Sequence, residues 1–135
     1  MNVGKYIYTK LSTDTAVSNL VSNRIYPVMM AEKTAFPAIV YTVNTTPKDT
    51  QKDRPTDHDR EVVTFRFWAD IQQGADGYGK TTAIDLAVRA ALDFNEGTLS
   101  GVIVEHCHFD GSEDIVSEDR LLIGRQANYT FITKR

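Results

Sequence analysis

Apolar residues recur along this chain with two different periods, and the switches between them mark its elements. Val3, Ile7 and Leu11 stand at helical spacing, which predicts an opening amphipathic helix. Ser12-Thr13-Asp14 offers a break and a new N-cap, because a short oxygen-bearing side chain accepts a bond from a free N–H of the following turn. Ala16, Val17, Leu20 and Val21 predict a second short helix, with Asn23 as its end, since Asn tolerates the left-handed conformation. Arg24-Ile25-Tyr26-Pro27 reads as a short extended piece before a turn.

The period then changes to two. Ile39, Tyr41 and Val43 alternate within Phe36–Thr45, a strand pattern whose Pro37 suits an edge or a first position. Glu61–Ala69 sets Val63, Phe65 and Phe67 on one face and Thr64, Arg66 and Trp68 on the other, as in a sheet with one face on the core and one toward water or a partner. Asp76 is placed to cap a helix with the stripe Ile84, Ala87, Val88, Ala91 and Leu92, ended by Asn95-Glu96-Gly97. Gly101–Phe109 and Leu121–Thr133 are two further strand-like runs. In the second, Leu121, Ile123, Ala127, Tyr129 and Phe131 share a face interrupted by Arg125. The order α-α-β-β-β-α-β-β lacks crossover helices between most strands. It predicts an α+β fold, with a mostly antiparallel or mixed sheet of about five strands and two to three helices packed on one face.

Two polar stretches separate these runs. Thr45–Arg60 has Pro47, Pro55 and no apolar residue, and its four cations and four acids cancel if His58 is neutral; a loop of that length is usually functional or disordered. Asp110–Arg120 holds five acids and one Arg, a net −4, so the remainder of a chain of net charge −3 carries +1. It reads as a solvated acidic loop. With 135 residues, 41% hydrophobic and 24% charged, the expectation is a single soluble domain over 1–135. No apolar run approaches a bilayer span, and Met1-Asn2-Val3-Gly4-Lys5 lacks a signal-peptide core. One cysteine, Cys107, excludes an internal disulfide and fits a reducing compartment. The net charge argues against a strongly basic nucleic-acid binder.

Candidate chemistry changes this picture little. Gly74-Ala-Asp-Gly-Tyr-Gly79-Lys80-Thr81 is a literal G-x4-G-K-[ST] between a strand and a helix, the pattern in which backbone N–H groups cradle phosphates and the Lys reaches the outer oxygens. Against it, the preceding strand alternates with polar residues where a central parallel strand is apolar on both faces. Ala69–Gln73 separates that strand from Gly74, and the 55 residues after Lys80 are too few for the rest of a parallel nucleotide-binding sheet. The plain reading is a Gly-rich turn leading into a helix. His106-Cys107-His108 offers two imidazoles on one face of a strand, with the thiol on the other. That is half a zinc site, and His58 lies in a distant loop. Cys107, in phase with Ile103 and Phe109, reads as a buried, inert thiol. Asp110, Ser112, Glu113 and Asp114 lack EF-hand spacing. No catalytic residue, metal or cofactor follows from these patterns.

Leu11-Ser12-Thr13-Asp14, Val17, Leu20-Val21, Arg24-Ile25-Tyr26-Pro27 and Phe36-Pro37-Ala38-Ile39-Val40-Tyr41 together resemble a family of small phage and prophage tail-completion proteins. The likeness continues through Val63-Thr-Phe-Arg-Phe-Trp68 and Ala87-Val88-Arg89-Ala90-Ala91-Leu92. It implies a structural, non-enzymatic tail terminator, a subunit of a ring oligomer, commonly a hexamer. Such a ring caps the tail tube, meets head-side connector proteins and lets DNA pass without specific binding. It further implies a virion tail or neck component made in the bacterial host cytoplasm, with no membrane partner and no cofactor. A head-closure subunit is the nearest alternative, and a nucleotide-binding protein using Gly74, Gly79, Lys80 and Thr81 is the rival of a different class. A sliding ring should avoid cationic grip on phosphates, so Asp110, Glu113, Asp114, Glu118 and Asp119 are candidates for a lumen or docking rim. Lys48, Lys52 and Arg54 in the first polar stretch are candidates for contacts made on assembly.

Overall fold

Asp14 sets the break between the first two helices. The structure, a computed structural model, describes residues 3–30, 35–47, 57–70, 74–118 and 122–134, with side chains from Gly77 onward in the segment that starts at 74. Helix α1 spans Gly4–Ser12 and α2 spans Thr15–Val21; the Asp14 carboxylate accepts the Val17 N–H at 3.1 Å. Val3, Tyr6, Ile7 and Leu11 are buried along α1, and Val17 and Val21 along α2. The left-handed residue after α2 is Ser22, at φ 54°, one position before the expected Asn23.

The two motifs that follow pair with each other. Strand β1, Ile25–Pro27, lies parallel to β2, Ala38–Pro47, with Ile25 opposite Ile39 and Pro27 opposite Tyr41. The Arg24 guanidinium donates to the Pro37 carbonyl at 2.8 Å, and the Ile39 N–H returns to the Arg24 carbonyl at 2.9 Å. Pro37 thus stands just before the strand, where its missing N–H costs nothing. Because β2 is covered by β1 on one side and β3, His58–Asp70, on the other, it is not an edge strand at its start.

Helix α3 runs Gly74–Leu92, followed by β4 (Gly97–Leu99), β5 (Val102–Val116) and β6 (Leu122–Lys134). The sheet order is β1-β2-β3-β6-β5-β4, mixed through the one parallel pair. The sixth strand is β4, a three-residue element that the sequence hides within the helix ending at Asn95-Glu96-Gly97. Asp76 falls inside the first turn of α3, since the helix already begins at Gly74.

Both polar stretches are shorter as loops than their composition suggests. β2 continues to Pro47 and β3 begins at His58, with Thr45 opposite Glu61 and Thr46 opposite Arg60. β5 continues through the acidic residues to Val116, paired with β6 as far as Ile123. In each case a long neighbour supplies the ladder, so residues without an apolar alternation are still held extended. Register shifts lie between Val104 and His106 and between Phe109 and Gly111. The first inserts a residue and resets the phase. Val104 and Cys107 therefore both face the core, while Ile103, expected in phase with Cys107, is exposed.

The helices cover one face of the sheet. Val63, Phe65, Phe67, Ala127, Tyr129 and Phe131 from the two central strands form the core with Ile84, Val88 and Leu92 of α3. Phe65 meets Tyr129 edge-on at 5.4 Å, and Tyr6 meets Phe131 likewise at 6.3 Å. The sheet curls so that α1 touches β1 at one edge and β4 at the other; Thr9 Oγ1 lies 2.7 Å from Ser100 Oγ, and the Tyr41 hydroxyl donates to the Gly4 carbonyl at 3.2 Å. On the opposite face, Gly124 sits across from Trp68. A Cβ there would come within 2.7 Å of the indole and 2.9 Å of the Phe67 carbonyl, so only glycine fits without displacement.

Glu61 is the exception in this core. It lies in phase with Val63 and Phe65 and is fully buried. Its carboxylate accepts the Val3 N–H at 3.0 Å, the Thr45 hydroxyl at 2.9 Å and the Thr133 hydroxyl at 2.9 Å. Replacing it by Ala strands those donors, each at a cost of about 1 kcal/mol or more. Glu61→Ala is expected to lower unfolding stability by about 3 kcal/mol in urea titration, with Thr133→Val costing distinctly less.

Candidate assembly surface

The acidic segment is part of a long hairpin, and the hairpin distributes its carboxylates over both faces. Asp110 is the extra residue at the second register shift, beside Gly111 at φ 141°. It turns to the helix-free face, accepting the Thr130 hydroxyl at 2.5 Å and facing His108 Nε2 at 2.9 Å. Glu113 is on that face too, 3.5 Å from Gln126 Nε2. The face continues as a polar ladder, Arg66 to Gln126 at 3.2 Å and Thr64 to Asn128 at 3.0 Å. Asp114 faces the helix side, and Glu118 is exposed beyond the end of β5. Asp119, Lys48, Lys52 and Arg54 lie outside the described residues.

Arg125, the one charge in an otherwise apolar face of β6, gathers the helix side of the hairpin. Its guanidinium donates to Asp85 of α3 at 2.6 Å, to Asp114 at 2.8 Å and to the Ser112 hydroxyl at 2.9 Å. The Asp85 bond, opposed by partial burial, holds the Arg125 pKa above its ordinary value. The Tyr78 hydroxyl reaches Asp114 from the start of α3 at 3.4 Å. The interruption that Arg125 makes in the apolar stripe is therefore the tie between helix and hairpin. Sequence reasoning saw the interruption but had no way to identify Asp85, forty positions away, as the partner.

The G-x4-G-K-T stretch does not form a phosphate cradle. Gly79, Lys80 and Thr81 lie inside α3, where backbone N–H groups are taken by the carbonyls four residues earlier. Thr81 is buried, and its hydroxyl donates to the Tyr78 carbonyl at 2.9 Å. The reading of this stretch as a turn before the helix is corrected by the same observation. Gly74 begins the helix, and its pairing with the other motif residues is one of helix position alone.

His106 and His108 share the helix-free face, their rings 5.2 Å apart. His58, far away in sequence, begins β3 and meets Glu105 at 2.7 Å and Asp57 at 2.7 Å, so it belongs to this region and not to a separate loop. Among the described residues, no three His, Cys, Asp or Glu side chains are arranged to hold a metal ion. Cys107 is buried beneath the C-terminal turn of α3, where its carbonyl accepts the Phe94 N–H at 2.9 Å. Burial, with the charges of Asp93 and Asp110, pushes its thiol up to about 12. Next to it the Tyr129 hydroxyl is buried without a hydrogen-bond partner among the described residues, and burial raises its pKa as well.

At the other end of the long strands, α1, the end of β1, β2 and the β4–β5 turn enclose a groove of about 1030 Å³, lined by Tyr8, Val28, Tyr41, Thr42, Val43 and Val102 among others. No described helix is long and apolar enough to cross a membrane.

An α+β fold with this sheet also occurs in a chain of the virion of a native gene transfer agent particle. The two superpose with a TM-score of 0.77 at 15% identity, covering 96% of this chain and 92% of that one. No curated protein sequence matches the chain. Residues 5–134 match the family described as Tail completion protein gp17, and the chain belongs to that family. It is a structural protein of phage tails.

Two outcomes follow from the buried groups. Arg125→Ala leaves Asp85 buried without its cation and is expected to cost about 3 kcal/mol of stability, with Asp85→Asn relieving part of that loss in the double variant. The Cys107 thiol is expected to resist iodoacetamide at pH 8 in the folded protein and to react on unfolding. The unfolded chain releases this proton near pH 8.5–9 and the folded one only near 12. Stability from this group is therefore intact below pH 8.5 and declines as pH rises toward 12.

Proposed function

We propose that this chain is a tail terminator: a non-catalytic subunit of a six-copy ring that completes the tail at its head-side end and joins tail-tube to connector proteins. The observation that carries this reading is membership of the tail completion family over residues 5–134, and the gene transfer agent virion chain of the same fold supports it. The residues fit a structural task. The distal hairpin exposes Glu113, Asp114 and Glu118 without a cation between Asp110 and Glu118, a surface that repels phosphate backbones and lets DNA slide past it. The helix-free face of the sheet is polar and half-exposed, suited to wet contacts with neighbours. The glycine-lysine motif is absorbed in α3, which leaves nucleotide chemistry without a cradle.

A ring of this kind would place copies, tube and connector around one lumen, in the virion tail or neck. Electron microscopy of particles produced without this protein tests the assignment: unjoined heads and tails, or tails of abnormal length, are expected. Normal, infectious virions would overturn it.

A further inference from the structure

Two strands of the sheet are longer than the neighbours that cover them. β4 pairs only Val102–Val104 of β5. The turn after α3 covers the next stretch, with the Phe94 N–H on the Cys107 carbonyl and the Asp93 carboxylate accepting the Phe109 N–H at 3.0 Å. Among the described residues, no strand pairs the outer edge of β5 from Gly111 to Val116. At the opposite side of the sheet, β1 pairs only Ile39–Tyr41, and no described strand pairs the outer edge of β2 from Thr42 to Pro47. Each uncovered run is about 20 Å long. An unpaired edge is a template for another strand.

The surroundings of the two edges are complementary. The β2 edge opens into the groove beside α1, whose wall includes Tyr8, 45% exposed, and Val28, 68% exposed. Helix α1 carries Lys5 and Lys10 and no acid. The β5 edge carries exposed Glu113 and Asp114, with Glu118 just beyond, and presents Val116, 56% exposed, as its apolar residue. The two edges sit at opposite ends of the molecule: Val102 lines the groove, and Val116 lies about 45 Å further along β5. One copy therefore cannot satisfy both edges itself. A contact between two different patches of the same chain is heterologous, and its repetition closes a ring when the rotation between successive copies completes a full turn.

We propose that the Gly111–Val116 edge of one copy docks on the Thr42–Pro47 edge of a second copy, in the groove beside α1, with Glu118, just beyond the end of β5, facing Lys5 of the groove wall. This rests on the ring reading above and gives that ring its two surfaces. The sheets of successive copies then continue one into the next.

Disulfide trapping in assembled particles tests it. Thr42 and Asn44 project to the helix-free face, as do Glu113 and Ile115, by the alternation of their strands. Buried Cys107 does not compete. Four double variants, Thr42→Cys or Asn44→Cys combined with Glu113→Cys or Ile115→Cys, span adjacent registers. Oxidised particles of at least one are expected to give a ladder of dimers and higher multimers on a non-reducing gel, with no ladder from the single variants. Particles that contain the protein but yield no ladder from any pair, or a cross-link to a different virion protein, would overturn the interface and leave the ring reading standing. Absence of the protein from wild-type particles would overturn both. As a second arm, Lys5→Glu is expected to reduce incorporation into particles roughly fivefold. Adding Glu118→Lys to the same chain should restore it. Unchanged incorporation of the Lys variant would overturn the pairing.

Discussion

A buried carboxylate ties the start of the N-terminal helix to the sheet that curls around it. Glu61 collects a backbone N–H at the start of α1, a hydroxyl from β2 and a hydroxyl from β6. A charge taken out of water costs several kcal/mol unless its lone pairs are filled, so the three donors must arrive together. That requirement positions Val3 against β3, and α1 then lies between the two sheet margins. Tyr6, Ile7 and Leu11 are thereby committed to the core. The rest of the architecture follows from this seat, because the groove, the curl and the separation of the two uncovered strand edges all depend on where α1 lies.

Much of the fold is legible from periodicity because its core strands face water or a polar surface on one side. Val63-x-Phe65-x-Phe67 and Ala127-x-Tyr129-x-Phe131 alternate clearly, as antiparallel strands with one buried face must. What periodicity misses is extension imposed by a neighbour. The segments around Thr45–Pro47 and Asp110–Val116 have no apolar alternation, yet partner strands hold them extended. The bulge before His106 also defeats simple phase counting, since Ile103 and Cys107 appear aligned in sequence and fall on different faces. Glu61 itself looks like an ordinary polar strand position; its partners come from positions 3, 45 and 133 and leave no local trace.

The family likeness has a physical basis in the same terms. Arg24-Ile-Tyr-Pro and Phe36-Pro-Ala-Ile-Val-Tyr are separated in sequence but form one parallel pair, with Arg24 bridging to the Pro37 carbonyl. Motifs that seem generic one at a time become specific as a mutually bonded unit. The residues that resemble chemistry are absorbed differently. The glycine-lysine stretch is spent as helix, and the cysteine as packing. The surfaces left for assembly are defined by strand length and charge, which no short pattern encodes. The candidate acids share a strand but divide between its two faces, with Arg125 holding Asp114 to the helix side and Thr130 holding Asp110 to the other.

The contact between Trp68 and Gly124 adds an unplanned convenience. Trp68 is the sole indole of the chain, resting on a bare backbone where the end of β3 meets the start of β6, on the face that the helices leave open. Its emission colour and quenching thus register how wet that surface is. An optical signal native to the molecule distinguishes the solitary subunit from one whose open face has been covered.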